Sequence, residues 1–152
     1  MPAHRHLVPP RATKGHLKLT ESELQHWGEQ LGRSITPPLI VTLTGDLGVG
    51  KTTLARAICI GYGVQEEITS PTYALVHRYR TPGGLAVYHV DCYRLRSPAE
   101  AQDLGFDDMM RDAGIVLIEW PERAGPWAPP LQRHFRLSYG EQPDIRDLEE
   151  IR

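Results

Sequence analysis

The chain has 152 residues, 40% hydrophobic and 24% charged, a balance that suits one globular domain with a single core. Its 17 basic and 19 acidic residues leave a net charge of -2, which argues against strong direct binding of nucleic acid as its main task. Two cysteines without metal-ligand spacing, no 18-residue apolar run and no N-terminal apolar signal core predict a cytoplasmic protein with reduced thiols and no membrane span.

Residues 1–16 carry Pro2, Arg5, Pro9, Pro10, Arg11 and Lys14 with little periodicity, and are expected to form a mobile arm. Leu17-Lys18-Leu19 reads as a short edge strand. Thr20 and Glu23 then stand at capping-box spacing before a helix whose inner face carries Leu24, Trp27, Gly28 and Leu31. Gly32 is expected to end that helix, and Pro37-Pro38 resets the chain into Leu39 to Thr44, an apolar, β-branched run that reads as a buried strand.

Directly after this strand, Gly45-Asp46-Leu47-Gly48-Val49-Gly50-Lys51-Thr52 fits the phosphate-binding pattern G-x-x-x-x-G-K-[ST] without a gap. Leu54, Ala57 and Ile58 follow at helical spacing, so strand, glycine loop and helix occur in the order the motif requires. The glycines let successive backbone N–H groups curl into an anion nest, and the helix start adds its dipole. Lys51 supplies a point charge for the β- and γ-phosphates. The Thr52 hydroxyl is placed for Mg2+, and Thr53 is expected to donate to the α-phosphate.

Gly61-Tyr62-Gly63 breaks the second helix. Tyr73 to Arg80 and Leu85 to Asp91 read as two strands joined by the short turn Thr81-Pro82-Gly83-Gly84, an antiparallel hairpin. Ser97-Pro98 starts a short helix with proline at its first position. Gly114 to Glu119 is a further apolar strand, and Arg133 to Tyr139 alternates like a last one. Residues 141–152 are polar and read as a C-terminal tail, leaving residues 17–140 as the folded domain. This order predicts an α/β fold in three layers, its sheet mostly parallel with an antiparallel edge.

Two carboxylates stand where such a sheet presents ligand-facing groups. Glu119 closes the run Ile115 to Ile118, where an acid is expected to hold Mg2+ opposite Thr52. Asp91 closes Ala86 to Val90 and either orients the attacking water, helps the metal site or caps the next segment. His89, two residues earlier on the same strand face, either supports Asp91 or is an ordinary core histidine. Thr72, in Ser70-Pro71-Thr72, lies in a loop where a γ-phosphate-sensing switch would sit. No N-K-x-D guanine-reading motif occurs, which argues against a GTPase.

The glycine loop at 45–52, S-P-T-Y at 70–73, H-V-D-C-Y-R-L at 89–95, D-L-G-F at 103–106 and I-E-W-P-E-R-A-G at 118–125 together resemble the TsaE family over residues 17–139. That family is the small ATPase of bacterial tRNA threonylcarbamoyladenosine (t6A) synthesis. The resemblance implies a P-loop NTPase fold and weak ATP hydrolysis with Mg2+. It also implies work with a two-subunit complex of the tRNA-modifying transferase and its non-catalytic paralogue. Carried over residue by residue, it puts Lys51 and Thr52 on phosphate and metal, Glu119 on Mg2+, Asp91 as a catalytic carboxylate and Thr72 in a switch. Trp120 would pack beside the site, and Thr20 would lie near the adenine. Arg78, Arg94 and Arg123 are the arginines nearest these motifs, none of them assignable as a finger. The other enzymatic reading is a small-molecule kinase of the P-loop class, which an absent lid or acceptor domain weakens.

Overall fold

A computed structural model of the protein describes residues 16–66, 75–130 and 132–151. The expected arm, apart from its last residue, and the whole Ser70-Pro71-Thr72 segment lie outside the described residues.

The helix α1 spans Glu21–Ser34 behind the capping box read from sequence. Thr20 Oγ1 accepts from the Glu23 amide at 3.2 Å, and Glu23 Oε1 accepts from the Thr20 amide at 2.9 Å. Gly32 does not end this helix. It is buried inside α1, where the backbone of α2 (Lys51–Tyr62) crosses so closely that a side chain would not fit. The chain leaves α1 only at Ile35, which is extended. Gly63, in the left-handed conformation, caps α2 by donating to the Cys59 and Ile60 carbonyls.

Among the described residues, seven strands form one sheet: β1 (Leu17–Leu19), β2 (Leu39–Gly45), β3 (Val76–Tyr79), β4 (Ala86–Asp91), β5 (Ala113–Glu119), β6 (Arg133–Tyr139) and β7 (Arg146–Ile151), in the order β1-β7-β6-β2-β5-β4-β3. The pairs β2–β5, β2–β6 and β4–β5 are parallel, while β1–β7, β6–β7 and β3–β4 are antiparallel. Antiparallel pairing therefore occupies both edges rather than one.

The difference comes from the C-terminus. Residues 146–151, expected as part of a polar tail, run between β1 and β6 and pair with both. Leu148 is the buried residue of this strand, and its outward charges are matched across strands. Arg133 and Glu150 form a two-pronged pair at 2.8 and 2.7 Å, and Lys18 meets Asp147 at 3.4 Å.

Helices cover both sheet faces. On one, Leu24, Trp27 and Leu31 of α1 and Leu54 and Ile58 of α2 pack on Val41, Leu43, Ile115, Leu117 and Phe135. Trp27 meets Phe135 edge-on with centroids 5.3 Å apart. On the other, Val90, Val116 and Ile118 pack against Ala101 of α3 (Pro98–Gln102) and Phe106 and Met109 of α4 (Phe106–Met109). Ala124 joins this layer from the 3-10 segment Pro121–Trp127. Cys59 and Cys92 are both buried, and burial pushes each thiol up to about 12. Among the described residues, no helix is long and apolar enough to cross a membrane.

Candidate functional site: a glycine loop facing two strand-end carboxylates

The loop from Gly45 to Gly50 joins β2 to α2 with Gly45 at φ 144°, Gly48 at φ 80° and Gly50 at φ 116°. Position 45 admits no side chain, because a Cβ there would stand 2.3 Å from the Leu137 carbonyl oxygen of β6. The Val49 amide donates to Asp46, and the Leu54 amide to Gly50, so the helix begins on the loop itself. Two residues outside the motif brace it. Arg146 donates to the Val49 carbonyl at 3.0 Å, and the Tyr139 hydroxyl to the Leu47 carbonyl at 3.3 Å. Neither carried a sequence signal, since Arg146 falls in the polar stretch expected as a tail.

Lys51 is 4% exposed. Its Nζ donates to the Gly45 carbonyl at 2.6 Å and the Asp46 carbonyl at 2.8 Å, and sits 4.5 Å from the centre of the Trp120 ring. Burial lowers its pKa from the usual lysine value, opposed by the charges of Glu119, Asp91, Glu122 and Asp46. Trp120 directly follows β5 and holds a left-handed backbone, φ 57° and ψ 51°, uncommon for a bulky residue. Its ring also packs on Tyr93, centroids 5.0 Å apart, and the Arg123 guanidinium lies over both.

β5 ends at Glu119 and β4 at Asp91, and the register sets these two residues directly opposite each other. The Thr52 hydroxyl lies 3.4 Å from each Glu119 carboxylate oxygen. Asp91, half-buried, accepts from the Tyr93 amide at 3.0 Å, so the turn expected as one alternative is present while its carboxylate lines the same cleft. Burial pushes the Asp91 carboxyl above its usual range, the Tyr93 hydrogen bond works against this, and the Glu119 charge adds to it. His89 turns to Glu119, not Asp91, with Nε2 2.6 Å from Oε2.

The cleft that results, about 500 Å³, is lined by Leu47, Gly48, Gly50, Lys51, Thr52, Thr53, Asp91, Tyr93, Arg94, Glu119 and Trp120. A second hollow of about 410 Å³ opens on the other side of Gly48, Gly50 and Thr53, bounded by Thr20, Glu21, Ser22, Leu24, Val49, Pro143, Asp144 and Arg146. Thr20 therefore stands beside the loop, although its hydroxyl is already engaged in the helix cap. Of the three arginines, Arg94 lines the first cleft and Arg123 sits above it. Arg78 is bound to Asp112, at the opposite end of β5, by a 2.6 Å ion pair.

A strand–glycine loop–helix unit at the centre of a mixed sheet, with acids closing the two next parallel strands, defines a P-loop NTPase-type fold. The crystal structure of YdiB from Bacillus subtilis matches it with a TM-score of 0.70 at 23% identity, over 91% of this chain and 86% of that one. The family described as "Threonylcarbamoyl adenosine biosynthesis protein TsaE" matches residues 19–147, and this chain belongs to it. The curated relative "tRNA threonylcarbamoyladenosine biosynthesis protein TsaE" of Treponema pallidum is 40% identical over 103 residues, 68% of this chain and 75% of that protein. The same-named proteins of Haemophilus influenzae and of a Nostoc species are 40% and 39% identical over 74% and 86% of this chain, and 70% and 80% of their own lengths.

Proposed function

We propose that this protein is a slow, Mg2+-dependent ATPase of the cytoplasm that serves tRNA t6A modification. In that reading it acts as an accessory to the modifying transferase and its non-catalytic paralogue. The observation that carries the proposal is the Thr52 hydroxyl facing the Glu119 carboxylate, 3.4 Å away, at the first turn of α2 beneath the glycine loop.

These are hard oxygen donors of the kind Mg2+ takes, and adjacent ligands of that ion stand about 3 Å apart, close to the separation found. Among the described residues, no group of three or more His, Cys, Asp or Glu could hold a metal. A two-residue protein contribution fits an ion that also coordinates substrate phosphate and water. Bound there, the ion would neutralise charge developing on the β- and γ-phosphates.

The chain's own residues do the rest. The backbone amides of residues 45–50, Asp46, Leu47 and Val49 included, offer donors to phosphate oxygens. The Lys51 ammonium exchanges its two carbonyl partners for phosphate, and Thr53 donates to the α-phosphate. Thr20 borders the hollow on the adenine side. Asp91 orients the attacking water, and its raised proton affinity suits a group that handles a proton. Thr72 is proposed as the γ-phosphate switch on its motif alone.

Calorimetry with Mg-ATP, and phosphate release from γ-labelled ATP alone and with the transferase pair, test this reading. Binding is expected, with slow release that rises with the partners and is abolished in a folded Lys51→Ala variant. Absent triphosphate binding, retained turnover in Lys51→Ala, or label passed to an added acceptor would overturn it.

A further inference from the structure

We propose that His89 is the positioning residue that aims the Glu119 carboxylate at the metal-binding face of Thr52, an inference that rests on the metal role given to Glu119 above. His89 lies inside β4 with no solvent exposure, and its Nε2 is 2.6 Å from Glu119 Oε2. Its other nitrogen, Nδ1, is buried and has no hydrogen-bond partner among the described residues. A histidine kept only to fill the core would bond through both ring nitrogens or be replaced at no cost by an apolar side chain. Among the described residues this ring makes one hydrogen bond, and that bond goes to the acid. A carboxylate that holds a metal ion is ionised and can only accept, so in this role the ring donates through Nε2.

The geometry explains why Glu119 needs this hold. Its side chain has three rotatable bonds, and the nearby ammonium of Lys51 attracts it. The Thr52 hydroxyl touches both carboxylate oxygens only at the long distance of 3.4 Å, too weak a contact to fix a rotamer. The short bond from β4 fixes Oε2. The carboxylate then stays turned to the hydroxyl rather than folding onto the ammonium. Removing a hydrogen-bond partner behind a metal ligand typically weakens metal affinity about 10–100-fold.

The test compares His89→Leu, which keeps the volume without the donor, with His89→Gln, whose amide can still donate to Glu119. Calorimetric ATP affinity is measured without metal and across a Mg2+ titration. The Mg2+ concentration for half-maximal enhancement should rise about 10-fold or more in His89→Leu and return to within about 3-fold of wild type in His89→Gln, with metal-free affinity unchanged in both. In a Glu119→Ala background, His89→Leu should add no further change.

A His89→Leu variant with wild-type Mg2+ dependence, or one whose metal-free affinity falls equally, overturns the proposal. Should His89→Leu fail to fold, His89→Asn replaces it, because its amide is too short to reach. Equal Mg2+ dependence in the Asn and Gln variants then overturns the proposal. A wild-type protein indifferent to Mg2+ overturns the metal role of Glu119 itself, which separates that failure from this one.

Discussion

Replacing Gly32 with alanine reverses sign depending on why the glycine is there. On an open helix face the substitution stabilises by about 0.8–1.0 kcal/mol through helix propensity. In this structure the added Cβ would stand 2.3 Å from the Ile58 carbonyl oxygen and 2.8 Å from the Tyr62 amide nitrogen, both backbone atoms of α2. An ordinary carbon–oxygen approach is about 3.3 Å, so α1 must retreat by roughly 1 Å. That opens a gap under Leu24, Trp27 and Leu31 and forfeits about a quarter to a half of their dispersion contact with α2. Overpacking of this kind costs about 1–3 kcal/mol, and backbone obstruction places this site at the upper end.

Net of the propensity gain, Gly32→Ala should destabilise by about 2 kcal/mol, lowering Tm by about 4–8 °C in a chain of this length. Circular dichroism melts of three variants check the reasoning internally. Gly28→Ala, which meets mainly the side-chain atoms Ala57 Cβ at 2.7 Å and Leu54 Cδ1 at 3.0 Å, should lose less. Gly83→Ala, with nothing within 4 Å among the described residues, should stay within about 0.5 kcal/mol of wild type. A Gly32→Ala protein that melts at or above the wild-type temperature would refute the close crossing.

Leu148→Ala should cost about 2–4 kcal/mol in urea unfolding, because Leu148 is 2% exposed and packs within the core beside β1 and β6. A cost below about 0.5 kcal/mol would return residues 141–152 to the status of a tail. Burial, aided by the Arg136 charge, holds the His134 imidazole below its usual 6.5. The folded state then takes up this proton less readily than the unfolded chain, so the stability involved is complete above pH 6.5 and drains away as pH falls below it. Wild type should lose more stability than His134→Gln between about pH 7.5 and pH 5 in chemical denaturation, and parallel losses would refute this.

The Asp91 carboxyl is shifted the other way. Its linked stability is present below 3.8 and is lost as pH rises through the elevated folded value, so the ionised group is a burden at neutral pH. Asp91→Asn should therefore stabilise the ligand-free protein by about 0.5–1 kcal/mol while slowing phosphate release about 100-fold. A variant less stable than wild type at neutral pH contradicts the sign.

Local chemistry was legible in the chain where it is local in space. The capping box of Thr20 and Glu23, the glycine loop and the bounds of β6 all depend on neighbours within a few residues. What escaped depends on distant partners. Gly32 looks like a helix stop because glycine so often is one, whereas its reason is a second helix that only the fold brings across it. β7 has a single buried side chain among six residues, so no buried face repeats along it. It is a strand because β1 and β6 both offer it backbone partners, and Arg133, Lys18 and Arg136 form ion pairs with Glu150, Asp147 and Glu149. His89 and Asp91 share a strand face, which suggested that they act together. The pairing of β4 with β5 decides instead that Glu119 is the acid His89 reaches.

That pairing also explains how two adjacent carboxylates come to differ. Parallel strands end at the same edge, so β2, β5 and β4 deliver the glycine loop, Glu119 and Asp91 to one place without a long side chain among them. Opposed acids on neighbouring strands repel, and the structure relieves this unequally. Among the described residues, Glu119 receives the His89 ring and faces the Thr52 hydroxyl, whereas Asp91 has the Tyr93 amide alone. Glu119 is the better-held acid, and burial pushes the Asp91 carboxyl above its usual range. The division of labour proposed for them, one holding the ion and one managing the water, follows from this unequal supply of hydrogen bonds to two residues that the register makes neighbours.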